Sequence, residues 1–136
     1  MKKEPALSLK SPKKESEKMG KRILIVEDEP NMRLLIREEL EEEGYDVEEA
    51  SNGEEALEKF KETEYDLVTI DIEMPGMNGL ELAGRIREMK KDAKIILLTA
   101  YSHYKGDLSS WAADAYIIKS MDFQELKDTV NKLLSE

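Results

Sequence analysis

Cysteine is absent from this chain of 136 residues, and histidine and tryptophan occur once each. Without cysteine there are no disulfides, no thiol nucleophiles and no thiolate metal sites, so oxygen chemistry is what remains. The lone His103 reads as a loop residue rather than a phosphoryl carrier, because no helical pattern sets it beside a partner. Trp111 reads as packing under a short helix. No apolar run approaches the roughly 18–20 residues of a membrane-spanning helix. The lysine-rich start is followed only by Ala6-Leu7-Ser8-Leu9, which is no signal core. No membrane insertion is expected, and a cytoplasmic location is. A basic surface is lacking too. The formal net charge is −10, and residues 1–20 hold six Lys against three Glu, which leaves 15 basic against 28 acidic groups, net −13, on the remainder. Such a surface repels phosphate backbones, so direct nucleic-acid binding is not expected.

What is present fits one core and one domain. Residues 1–20 carry two prolines, several serines and scattered charge with no apolar period, and are expected to be a flexible tail. Residues 21–136 are expected to form the folded domain. Five short apolar runs punctuate it, at Ile23 to Val26, Tyr45 to Glu49, Leu67 to Ile70, Ile95 to Leu98 and Tyr116 to Ile118. Each has strand length. Between them run helical faces marked by Met32, Leu35, Ile36 and Leu40, by Ala56, Leu57 and Phe60, and by Leu82, Ala83, Ile86 and Met89. Leu126, Val130, Leu133 and Leu134 mark the last. Start signals agree: Pro30 suits a first helical position, Ser51 with Glu54 has capping-box spacing, and Asn78 and Asp122 stand just before helices. Gly44 ends the first helix. Strands alternating with helices over short loops imply right-handed crossovers and a parallel sheet covered on both faces, a three-layer α/β sandwich.

In a parallel sheet every strand ends on the same edge, and ligands bind beyond those carboxyl ends where the strand order reverses. The residues just past the strongly apolar strands are Glu27-Asp28, Asp71, Thr99 and Lys119. Three carboxylates, a hydroxyl and an ammonium converge there. Crowded carboxylates must take up protons or share a cation, and oxygen-only ligands suit Mg²⁺, whose two positive charges neutralise the net −2 of three carboxylates and one Lys. Asp71 is the candidate nucleophile, since a carboxylate can form an acyl phosphate. Lys119 and Thr99 are placed to stabilise the phosphoryl oxygens.

"ILIVEDEP", "DLVTIDIEMPGMNGLEL", "IILLTAY" and "DAYIIKS", in that order, resemble the receiver domain of response regulators of two-component signalling over roughly residues 21–136. The resemblance implies a flavodoxin-like sheet of order 2-1-3-4-5. It implies that Asp71 accepts a phosphoryl group from a sensor histidine kinase, with Mg²⁺ ligated by Asp28, Asp71 and the backbone carbonyl of Glu73, and with Glu27 acting through water. Thr99 and Tyr116 are implied to shift on phosphorylation. That shift would reshape the face of a fourth helix, the fifth strand and the last helix, so as to control a downstream protein or pass the phosphoryl group to a histidine phosphotransfer protein. Such a domain catalyses only its own phosphorylation and dephosphorylation. Because the chain ends just after the last helix, a stand-alone receiver of chemotaxis or sporulation type, or a phosphorelay intermediate, is expected.

Three features depart from the pattern. Ser120 replaces the usual proline after the lysine, which leaves the isomer of that peptide bond, commonly cis in the family, open. The span from Thr99 to Lys119 leaves a fourth helix of about two turns that must accommodate Gly106. Glu27 stands for the usual Asp and keeps the charge. Two other readings compete: a degenerate receiver that binds a partner without phosphorylation, and an aspartate-nucleophile phosphatase. The latter class commonly has a second Asp two residues after the nucleophile, where this chain has Glu73. Met74 and Met77, flanking Pro75-Gly76, read equally as loop packing or as kinase contact.

Overall fold

A computed structural model describes residues 20–101 and 112–135. The expected tail, His103, Gly106, Trp111 and nearly all of the expected fourth helix lie outside these. The elements are β1 (Arg22–Val26), α1 (Pro30–Glu42), β2 (Asp46–Ala50), α2 (Gly53–Glu62), β3 (Leu67–Asp71), α3 (Gly79–Met89), β4 (Lys94–Thr99), β5 (Ala115–Ile118) and α4 (Gln124–Ser135). The strands form one sheet of order β2-β1-β3-β4-β5 with every pair parallel, the order expected.

Alternation along the strands divides the core in two. Ile23, Ile25, Leu67, Ile96, Leu98 and Ile117 pack with Ile36 and Leu40 of α1 and with Leu126, Val130 and Leu133 of α4. On the opposite face Leu24, Val26, Val68, Ile70, Ile95 and Leu97 meet Ala56 and Phe60 of α2 and Leu82, Ala83 and Ile86 of α3. Both faces of the central strands are therefore dry. The edge strand β2 is more polar: Glu49 takes ion pairs from Arg33 and Arg37, and Glu48 accepts from the Tyr65 hydroxyl. Charge along an edge discourages pairing with another chain.

Most local signals act as expected. Pro30 opens α1, behind a Glu29 cap that accepts from Met32 N. Gly44 follows α1 with φ 101°, a conformation that favours glycine. Asn78 caps α3 by accepting from Glu81 N, and Asp122 accepts from Gln124 N. Three expectations shift. The α2 cap is Asn52, accepting from Glu55 N, while Glu55 rather than Glu54 reaches back to Ser51 N. The second strand starts at Asp46, one residue late, which leaves Tyr45 in the turn with its hydroxyl bonded to Asn131. Met89, the last residue of α3, is exposed rather than on the buried face.

Two glycines of α3 have opposite roles. A Cβ on Gly79 would lie 2.4 Å from Asp71 O and 2.8 Å from Ile70 Cγ2, whereas one on Gly84 would meet nothing within 4 Å. Backbone oxygen cannot swing away as a side chain does. Gly79→Ala is expected to destabilise by about 1–3 kcal/mol through overpacking. Gly84→Ala should stabilise by about 0.5–1 kcal/mol through helix propensity. Urea unfolding of the two variants checks this, and equal effects would show that the approach to Asp71 is slack.

Candidate functional site

The site follows from strand parity. Residues paired across parallel strands face the same way, so Ile25 and Thr69, which are partners, share the face of α1 and α4. Two residues further on, Glu27 and Asp71 share it as well. On β5, Ile117 pairs with Leu98 on that same face, and Lys119 is again two residues on. Three charged side chains from three strands thus meet beyond the sheet edge.

They are in contact. Lys119 Nζ lies 3.1 Å from Asp71 Oδ1 and 3.1 Å from Glu27 Oε1. It also donates to Glu27 Oε2 at 3.5 Å. Both carboxylates are almost wholly buried, at 1–2% exposure, and the ammonium is one-fifth exposed. Glu27 is further held by Glu29 N, which donates to Oε2 at 3.2 Å, and its carbonyl accepts from Arg33 Nη1 at 2.7 Å. Among the described residues no well-directed donor serves Glu27 Oε1. Half-buried Asp28 completes the group: Glu27, Asp28 and Asp71 each offer a carboxylate oxygen, all within 4.8 Å of one another.

This electrostatic balance is poor without a cation. Burial pushes Asp71 up, the nearby Glu27 carboxylate pushes the same way, and Lys119 only partly opposes them, so Asp71 sits at about 7. Burial also acts on Lys119, pulling it down, but Asp71 and Glu27 together outweigh that and raise it. An incompletely paired buried oxygen, an acid held above its ordinary range and three convergent carboxylates are what a hard divalent cation would satisfy. The donor set fits Mg²⁺.

Thr99, fully buried at the end of β4, adjoins Leu98, the β4 partner of Asp71. Its hydroxyl donates to Glu73 Oε2 and accepts from Tyr101 N at 3.1 Å. Glu73 N donates to Asp71 Oδ1 at 3.1 Å, while Glu73 Oε1 accepts from Ala100 N at 3.2 Å. Of the residues singled out from sequence, the structure therefore brings together Glu27, Asp28, Asp71 and Lys119, and links Thr99 to Asp71 through Glu73. Tyr116 stands apart from the acidic group, its hydroxyl donating to Tyr101 O. The Lys119–Ser120 peptide is trans, as are all peptide bonds among the described residues. Met74 and Met77 pack on the core, which favours loop packing. Missed from sequence were the reach of the Glu73 side chain, the Ala100 amide and the support from Arg33. Spacing carries no signal for contacts made between loops.

Residues 23–131 match the model of the response regulator receiver domain. The chain belongs to this family. Among solved structures, this receiver domain is similar to the response regulator protein TrrA from Thermotoga maritima in complex with Mg²⁺–BeF, at 68% identity and TM-score 0.79, covering 83% of this chain and 98% of that one. It is equally similar, at 68% identity and TM-score 0.78, to TrrA in complex with the histidine kinase ThkA, covering 84% and 98%. Chemotaxis protein CheY of T. maritima is 38% identical over 118 residues, 85% of this chain and 98% of that protein. Transcriptional regulatory protein ResD of Bacillus subtilis is 42% identical over 115 residues, and the match spans 83% of this chain but only 48% of that protein. Among the described residues no helix is long and apolar enough to cross a membrane.

The raised Asp71 makes stability depend on pH with a definite sign. An unfolded Asp ionises near 4, so between about 4 and 7 the folded state holds a proton that the unfolded state has lost, and wild-type stability falls as pH rises through that window. Above it the penalty is constant. Asp71→Asn is expected to stabilise the metal-free protein by roughly 1–4 kcal/mol at pH 8 and hardly at all at pH 4. Unfolding curves in chelator across that range test it, and a pH-independent difference would show that Asp71 is not held above its ordinary range.

Proposed function

We propose that this receiver domain is a phosphoryl-accepting signalling switch in which Asp71 takes the phosphoryl group from a histidine kinase. The observation that carries the reading is a buried carboxylate at the carboxyl edge of the sheet, 3.1 Å from an ammonium and grouped with two further carboxylates. The solved relatives bound to Mg²⁺–BeF and to a histidine kinase support it.

An Asp71 carboxylate oxygen attacks the phosphorus, the O–P bond forms as the N–P bond of the donor phosphohistidine breaks, and the imidazole leaves with that electron pair. Glu27, Asp28 and Asp71, with the Glu73 backbone carbonyl, would hold Mg²⁺, which when bound neutralises charge on the phosphoryl oxygens. Lys119, tied to both Glu27 and Asp71, stays in place to pair with the same oxygens. Thr99 donates its hydroxyl to the phosphoryl group once that group is in place. Tyr116 responds through Tyr101, and the surface around β5 and α4 passes the change to a downstream protein or a histidine phosphotransfer protein in the cytoplasm. The domain catalyses only its own phosphorylation and dephosphorylation, and the exchange does not depend on whether an output domain accompanies it.

Asp71→Asn should abolish phosphoryl uptake from acetyl phosphate in Mg²⁺ while leaving the fold intact, as read by intact mass. A variant that still gains the group at the wild-type rate would move the nucleophile elsewhere, and a wild type that gains none would favour partner binding without phosphorylation. In the wild type, millimolar-scale Mg²⁺ should raise the melting temperature by relieving carboxylate repulsion. Asp28→Ala should need several-fold more metal for an equal rise. A melting temperature indifferent to Mg²⁺ would remove the metal from this site.

A further inference from the structure

Glu73 is half-buried, two residues past the nucleophile, and its own amide donates to Asp71 Oδ1. A glutamate in such a loop would ordinarily turn to solvent. Here the two oxygens of one carboxylate are used on two donors of consecutive residues, Oε2 on the Thr99 hydroxyl and Oε1 on the Ala100 amide. Those donors lie at the end of β4, beside the strand that ends in Asp71. A phosphoryl group on Asp71 has three terminal oxygens to satisfy, and the donors among the described residues at this end of the sheet include Lys119 Nζ, Thr99 Oγ1 and Ala100 N. The carboxylate is a planar, anionic, two-oxygen acceptor already seated on two of the three.

We propose that the Glu73 side chain is a built-in stand-in for the phosphoryl group, occupying Thr99 and Ala100 in the resting protein and displaced when Asp71 is phosphorylated. The inference rests on the proposed role of Asp71. Glu73 and the phosphoryl group compete for the same donors, so every contact the carboxylate makes lowers the apparent affinity of the site for a phosphoryl mimic. The same contact holds Thr99 in its resting position until the competitor leaves. Glu73 acts through Thr99 and Ala100 and is a positioning residue.

The test is the affinity for beryllofluoride at saturating Mg²⁺, followed by NMR in the wild type and in Glu73→Ala and Glu73→Asp. Removing a charged hydrogen-bonding competitor should tighten binding about 3- to 30-fold in Glu73→Ala. Glu73→Asp keeps the charge and loses the reach, and should also bind more tightly than wild type. In the metal-free protein the Ala100 amide proton should move upfield in both variants as its carboxylate acceptor is lost. Wild-type affinity in Glu73→Ala would overturn the proposal. So would wild-type affinity in Glu73→Asp together with tightening in Glu73→Ala, since charge repulsion alone explains that pattern. Beryllofluoride binding to none of the three proteins would instead bring down the reading of Asp71, and this inference with it.

Discussion

Lys119 holds the carboxyl edge of the sheet together. Its ammonium lies 3.1 Å from carboxylates that end two other strands, so β1, β3 and β5 are joined by one charge as well as by the ladder. Buried ions are costly to desolvate, and a pair of anions with one cation between them is still one charge short of neutral. The protein carries that imbalance in the folded state, and burial, with the Glu27 charge adding to it, raises Asp71. Hydrophobic layers on both faces keep the arrangement from relaxing, because close-packed interiors do not deform to let charges separate.

The placement of these charges depends on parity, which is why much of the site is legible in the sequence. Each of Glu27, Asp71 and Lys119 stands two residues beyond a position that faces α1 and α4: Ile25, Thr69 and Ile117. Once the strands are recognised and known to be parallel, period two carries all three side chains to the same side. Fold class and sheet order were legible for a related reason, since short apolar runs alternating with helical faces leave few connections that obey the crossover rule. The cap of α2 was harder, because Ser51 and Asn52 are adjacent and both able to cap. Only the backbone of Asn52, at φ −159°, decides between them.

Contacts between loops were not legible at all. Arg33 reaches the Glu27 carbonyl from the first turns of α1, and Glu73 reaches across to β4. Neither follows from a period, since both depend on where a turn lets a long side chain go. The β3–α3 turn is fixed from below: Met74 N and Gly79 N both donate to Ile72 O, and Gly79 fits against Asp71 O only because it lacks a Cβ. That closeness ties the start of α3 to the nucleophile and leaves Glu73 at the apex. A glutamate there has little freedom in its backbone and several rotatable bonds in its side chain, which makes it suited to leaving one set of donors without disturbing the turn.

From Asp71 a continuous series of hydrogen bonds runs through Glu73 N, the Glu73 carboxylate, the Thr99 hydroxyl, Tyr101 N and Tyr101 O to the hydroxyl of Tyr116 on β5. Continuity alone does not couple its ends, because a chain of contacts with one arrangement transmits nothing. Coupling needs a member with two states. Ion pairs buried under rigid layers do not supply it, and neither does the apolar core. Thr99 does, under the proposed function, because its hydroxyl has two rival acceptors on opposite sides of the reaction: a carboxylate before it and a phosphoryl group after it. A hydroxyl that exchanges one anion for another keeps a hydrogen bond in both states, so neither arrangement leaves it unsatisfied. Under that same proposal Tyr101 N, which donates to the hydroxyl, is carried with the oxygen, and the Tyr116 hydroxyl, which donates to Tyr101 O, is carried with it.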